Sequence, residues 1–276
     1  MANQHQNKND RRASDTRRSD EHRRGGLVSK VPQVILAFWS IKILATTVGE
    51  TGGDALSMSL QLGYAVSSLI FLVFFCITLA AQVASRQYHP FVYWAVVIAT
   101  TTVGTTMSDY LDRTAGLGYV KSSIILFCCV LAVLFVWHRV TGEIEYEDIS
   151  TRQSEVFYWV TILVSNTLGT ALGDFVATTT GLGFERGAIV FSGLLALVVS
   201  AHFFTNIKSS LLFWSAYILT RPLGATLGDT LTKSHTDGGF ELNRIGASLT
   251  ILALMIVGIV FTSRKAKQFP GFREKA

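Results

Sequence analysis

Residues 38–54 read FWSIKILATTVGETGGD, and the same pattern returns three times without a gap. The copies are YWAVVIATTTVGTTMSD from residue 93, YWVTILVSNTLGTALGD from residue 158 and FWSAYILTRPLGATLGD from residue 213. Each opens with an aromatic residue followed by Trp39, Trp94, Trp159 or Trp214. A glycine stands ten residues after each Trp, and Asp54, Asp109, Asp174 or Asp229 fifteen after it. A second landmark keeps the register: Gly63, Gly118 and Gly183 lie nine residues past their Asp and Gly239 ten past, each followed by Tyr or Phe. Such self-similarity is the mark of tandem duplication.

Each unit continues into an apolar run, roughly 64–84, 120–138, 185–203 and 244–262. Runs of about 20 apolar residues have the length of a membrane-spanning helix. The expected fold is an all-α polytopic membrane protein, with eight transmembrane helices forming four parallel helical-hairpin repeats. Residues 1–30 form a basic tail without an apolar core and are expected to be disordered. Repeats 1 and 2 occupy 31–138, a polar linker 139–154, repeats 3 and 4 155–262, and a second basic tail 263–276.

Of the 276 residues 49% are hydrophobic and 16% charged, below the quarter usual for soluble domains. The net charge of +5 comes largely from the tails. It reads as a topology signal, with both termini cytoplasmic, rather than as a nucleic-acid surface. Cys76, Cys128 and Cys129 sit in apolar runs and suggest neither a disulfide framework nor a zinc site.

Small residues four apart (Gly49 and Gly53, Gly104 and Ser108, Gly169 and Gly173, Gly224 and Gly228) let helices approach closely in lipid. The odd helices are therefore expected at the centre, with the even helices peripheral. Ionisable groups in spans are costly and mark ion or substrate paths. Asp54, Asp109, Asp174 and Asp229 should then ring one level of the centre, with Glu50 one turn from Asp54. Carboxylate oxygens without His or Cys suit hard divalent cations, and also protons. The competing structural role is capping of the following turn. Thr46, Thr47, Thr101, Thr102, Asn166 and Thr167 offer further oxygen ligands or hydrogen-bond partners deeper in the helices. Lys42 and Arg221 break the symmetry; each is expected to pair with a carboxylate of another repeat or to hold an anionic substrate. Snorkelling is the alternative for Lys42, and interfacial anchoring is the ordinary role for the tryptophans.

The four Trp–Asp units resemble a bacterial membrane-anchored family built of four tandem two-helix repeats of unknown function, each with a Trp. The resemblance covers nearly all of 31–262 and implies the bacterial inner membrane. GETGGD at 49–54 is also similar to the Glu-x-Gly-Asp motif of manganese and calcium exporters, although three residues rather than two separate Glu50 from Asp54.

The leading expectation is a secondary transporter or exporter of a divalent cation, with Mn2+ favoured and no permanently bound cofactor. The alternative is a carrier of a small organic or anionic solute held by Arg221 and Lys42. An integral-membrane enzyme ranks lower, because no nucleophile–base pair or phosphate loop is visible. The expected partners are the lipid bilayer and a small solute; assembly with further copies is left open.

Overall fold

The computed structural model describes residues 32, 34–85, 88–142, 144, 149 and 151–268. The expected tail 1–30 and the C-terminal tail beyond residue 268 lie outside the described residues, as does part of the linker 139–154. Eight long helices follow one another: α1 (Leu36–Asp54), α2 (Gly63–Ala84), α3 (Pro90–Asp109), α4 (Gly118–Thr141), α5 (Arg152–Asp174), α6 (Gly183–Phe204), α7 (Ser209–Thr232) and α8 (Arg244–Gln268). The described residues contain no strand.

Local chemistry accounts for the ends. Pro90 begins α3, where its missing N–H costs nothing. The Thr151 side chain accepts a hydrogen bond from the Ser154 backbone N–H and caps α5. Gly142, at φ 82°, ends α4 in the left-handed conformation that only glycine adopts without cost. After Asp54, Asp109 and Asp174 the backbone widens into one π-helical turn, Ala55–Ser59, Tyr110–Thr114 and Phe175–Thr179. A short loop follows, and Gly63, Gly118 and Gly183, all with φ between 73° and 78°, turn the chain into the even helices. No break occurs at the paired glycines, so each aspartate stays at the far end of its odd helix.

The odd helices pack in a closed ring, α1 on α3, α3 on α5, α5 on α7 and α7 back on α1. The even helices surround them. In their most apolar windows 72% of α3 is buried against 17% of α2. Leu69, Ile77, Ile124, Phe135, Ile189, Leu197, Leu249 and Val257 stay exposed on the even helices, as lipid-facing residues would. The hairpin expectation needs correcting. Each even helix lies mainly on the odd helix of the next repeat: α2 on α3, α4 on α5, α6 on α7, and α8 across the seam on α1. The even helix therefore clamps neighbouring repeats together instead of folding back on its own.

Six of the eight helices, all but α1 and α7, are long and apolar enough to cross a membrane. The two exceptions carry Lys42, Glu50 and Asp54, and Arg221 and Asp229. Those side chains are buried by the ring, so the low hydropathy of α1 and α7 reflects the interior they face.

Glycine makes the ring close. The glycine ten residues after each Trp sits on the residue seven after the Trp of the next repeat: Gly49 on Thr101, Gly104 on Asn166, Gly169 on Arg221 and Gly224 on Thr46. The first aromatic of each repeat likewise packs on the Trp of the next: Phe38 on Trp94, Tyr93 on Trp159, Tyr158 on Trp214 and Phe213 on Trp39. Trp94, Trp159 and Trp214 are buried. These tryptophans cement repeat to repeat, which replaces the interfacial anchoring expected of them.

Candidate functional site along the ring axis

Every fourth residue of each odd helix, counted from the aromatic before the Trp, is buried in the ring. The stripes are Phe38, Lys42, Thr46, Glu50, Asp54; Tyr93, Val97, Thr101, Thr105, Asp109; Tyr158, Ile162, Asn166, Thr170, Asp174; and Phe213, Tyr217, Arg221, Ala225, Asp229. A step of four residues is about 6 Å along a helix. The axis is thus a stack of five layers: aromatic, Lys42–Tyr217, Arg221–Asn166, Glu50, and aspartate.

The aromatic layer closes one end. Tyr93 and Tyr158 share a hydrogen bond of 2.8 Å between their hydroxyls. In the next layer Lys42 is fully buried, with Nζ 4.1 Å from the centre of the Tyr217 ring. Its contact with Tyr217 excludes snorkelling to the surface.

Arg221 lies below, fully buried. Its Nη2 donates to Glu50 Oε2 at 3.0 Å, to Thr170 Oγ1 at 2.6 Å and to Thr105 Oγ1. Those three acceptors are the equivalent positions of repeats 1, 3 and 2, so one guanidinium of repeat 4 binds all the others. The expected cross-repeat pairing of Arg221 is observed. Asn166 Nδ2 donates to Thr100 Oγ1 at 3.0 Å. Thr47, Thr102 and Thr167 are buried, but each hydroxyl donates to a carbonyl one turn back in its own helix. They satisfy themselves locally, whereas the stripe runs through Thr46 and Thr101, one residue earlier.

The four aspartates form the last layer, each nearly fully buried. None of Asp54, Asp109 and Asp174 caps the turn that follows it. Arg113 instead bridges two repeats, with Nε 3.3 Å from Asp109 Oδ1 and Nη2 3.2 Å from Asp174 Oδ2. Lys233 bridges the other two, with Nζ 2.7 Å from Asp54 Oδ2 and 3.2 Å from Asp229 Oδ1. Arg244 Nε stands 3.7 Å from Asp54 Oδ2. Tyr64 and Tyr119, the aromatics after the landmark glycines, take hydrogen bonds from Arg113. Arg113 and Lys233 each lie four residues after an Asp, in repeats 2 and 4, where repeats 1 and 3 have Met58 and Thr178. This gives the aspartate layer a twofold rather than fourfold pattern. By position in the sequence both cations look like ordinary loop charges; the Asp-x-x-x-Arg/Lys spacing is the signal that places them.

Among the described residues no group of three or more His, Cys, Asp or Glu side chains is placed to hold a metal ion. The carboxylates proposed from sequence as cation ligands are at one level, yet two internal cations bridge them. Lys233, past the end of α7, is opposed by its burial but held protonated by Asp229 and Asp54, with its pKa well above the ordinary lysine value. A raised lysine pKa stabilises the fold fully below the unfolded value of about 10.4. That contribution is lost only as pH climbs through the higher folded value. The thermal midpoint should therefore show no loss of this bridge between neutral pH and about pH 10, checked by unfolding scans of the protein and of Lys233→Gln. Arg113→Gln should cost about 1–3 kcal/mol, less than a fully buried pair, because Arg113 is 29% exposed; the same scans read it.

These features define a class: an all-helical ring of four repeats, with a charged, buried axis inside an apolar jacket whose helices suit a membrane. The chain belongs to the family described as Repeat of Unknown Function (DUF347), matched at residues 37–88, 92–143, 157–208 and 212–268. Each match spans one odd and one even helix. No curated protein and no solved structure matches the chain.

Proposed function

We propose that the chain crosses the bacterial inner membrane eight times, with both termini cytoplasmic, and acts as a secondary transporter whose solute follows the ring axis. One observation carries this reading: Lys42, Arg221, Glu50 and the four aspartates are stacked on one axis, buried inside a jacket of helices whose outer faces are apolar. Charge in that position is costly and is ordinarily kept for transport. A scaffold would need only the glycines and the apolar jacket. Among the described residues neither a nucleophile–base pair nor a phosphate-binding loop accompanies the column, and no enzymatic step is assigned.

The axis offers a cation and an anion route. For a divalent cation such as Mn2+, the aspartates must first release Arg113 and Lys233 and then close around the ion, because as placed they form no metal-holding group among the described residues. For an anion, Lys42 and Arg221 are the counter-charges. Proteoliposomes loaded with an ion gradient test the reading, with flux of Mn2+ and of small anions measured in parallel. Glu50→Gln and Arg221→Gln should each reduce flux at least about tenfold, the consequence of losing roughly 1.4 kcal/mol or more at the rate-limiting barrier. Flux unchanged in both would remove the axis from the path. Mn2+ flux lost selectively in Asp54→Asn and Asp174→Asn would favour the cation route.

A further inference from the structure

We infer that Lys42, Arg221 and Tyr217 form a binding site for a compact monoanion, a small carboxylate or an inorganic oxyanion of single charge. The inference rests on the axis being the solute path and names the class of solute it accepts.

Hydrogen-bond donors without acceptors converge in these two layers. Lys42 Nζ, Arg221 Nε and Nη1, and the Tyr217 hydroxyl have no hydrogen-bond partner among the described residues, and all three side chains are fully buried. The Tyr217 ring face attracts the Lys42 ammonium but offers it no lone pair. Arg221 spends only Nη2, on Glu50, Thr105, Thr170 and the Thr101 carbonyl. Elsewhere in folded proteins buried donors are almost always paired, and an unpaired buried charge is among the most expensive arrangements. Four such atoms on two successive layers of the axis call for an acceptor.

The charge balance sets the valence. With an anion bound and both basic groups protonated, Lys42 and Arg221 exceed the one carboxylate of these layers, Glu50 on Arg221, by a single positive charge. Asp229 and Asp54 do not supply the missing charge. They lie eight residues beyond Arg221 and twelve beyond Lys42, about 12 Å and 18 Å along their helices, and Lys233 and Arg244 meet them. The walls set the size. Val97 and Ile162 complete the Lys42 layer, and the aromatic layer lies about 6 Å away, one four-residue step. The short layer step argues for a compact ion, and the single residual charge argues against a polyvalent one.

The test uses the full chain in detergent, in sodium HEPES buffer, whose anion is too bulky for the site. Sodium acetate, formate and nitrate are titrated, with thermal midpoint and tryptophan fluorescence as readouts; Trp214 reports because its ring lies 5.7 Å from that of Tyr217. A saturable rise in midpoint is expected, as for any ligand that binds the folded state alone. Lys42→Met should weaken it at least about tenfold, the loss of one charge-assisted hydrogen bond, and Lys42→Arg should largely keep it. Lys42→Met should also raise the anion-free midpoint, since it removes a buried amine that has no hydrogen-bond acceptor among the described residues. No saturable response, an equal response in Lys42→Met, or a lower anion-free midpoint in that variant would each overturn the site. Saturable binding without flux of acetate, formate, nitrate or Mn2+ in proteoliposomes would leave the site standing and remove the transport reading. Mn2+ flux without any anion response would do the reverse.

Discussion

Gly224→Val should open the ring, lowering stability by about 3 kcal/mol or more, a fall of roughly 6–12 °C in the thermal midpoint for a chain of this size. Gly224 is where repeat 4 meets repeat 1. A Cβ there would collide with the Thr46 side chain and stand 2.9 Å from the Thr46 carbonyl carbon. Thr46 cannot swing away, because its hydroxyl bonds Lys42 and Ile43 carbonyls in its own helix and the Thr220 carbonyl opposite. The helices must therefore part, and in lipid no hydrophobic force draws them back. Gly193 on α6 is the control: nothing lies within 4 Å of its Cβ position, and Gly193→Ala should be neutral or slightly stabilising by helix propensity. Scanning calorimetry in one detergent, together with gel filtration, checks both. Equal midpoints for the two variants would mean that the contact does not hold the ring.

Arg221→Met is the second large effect, a loss of about 3–5 kcal/mol. The substitution strands the Glu50 carboxylate in the ring interior and removes the donor shared by Thr105 and Thr170. Most of that cost belongs to the uncompensated charge rather than to the pair. The double variant Arg221→Met with Glu50→Gln should therefore recover most of the loss, and a double-mutant cycle of thermal midpoints measures how much. If Arg221→Met alone unfolds at the wild-type midpoint, Glu50 is not a charged partner of Arg221. Stability and flux should then separate: the double variant folds, yet the column has lost both charges and should not carry solute.

The duplication was legible from the four Trp–Asp units, because a gapless register over seventeen residues needs no structure to be seen. The central position of the odd helices was also legible, through small residues four apart. The aspartate layer was half legible. Its four acids could be read off, but their bridging partners could not, because Arg113 and Lys233 occur in alternate repeats and look like ordinary loop charges. Thr47, Thr102 and Thr167 were candidates beside Thr46, Thr101 and Asn166; a one-residue rotation on a helix, 100°, separates a hydroxyl that bonds its own carbonyl from a stripe that meets other repeats.

From sequence alone follow eight helical segments in four copies, their apolar outer faces and the identity of the charges they carry. Those are properties of spacing and composition, which each repeat contains within itself. Only tertiary structure decided that each even helix clamps the next repeat, that Arg221 of the last copy reaches Glu50 of the first, and that Lys42 is left without an acceptor among the described residues. Each of these is a relation between copies, made where the ring closes, and nothing within a single repeat records which neighbour its side chains will meet.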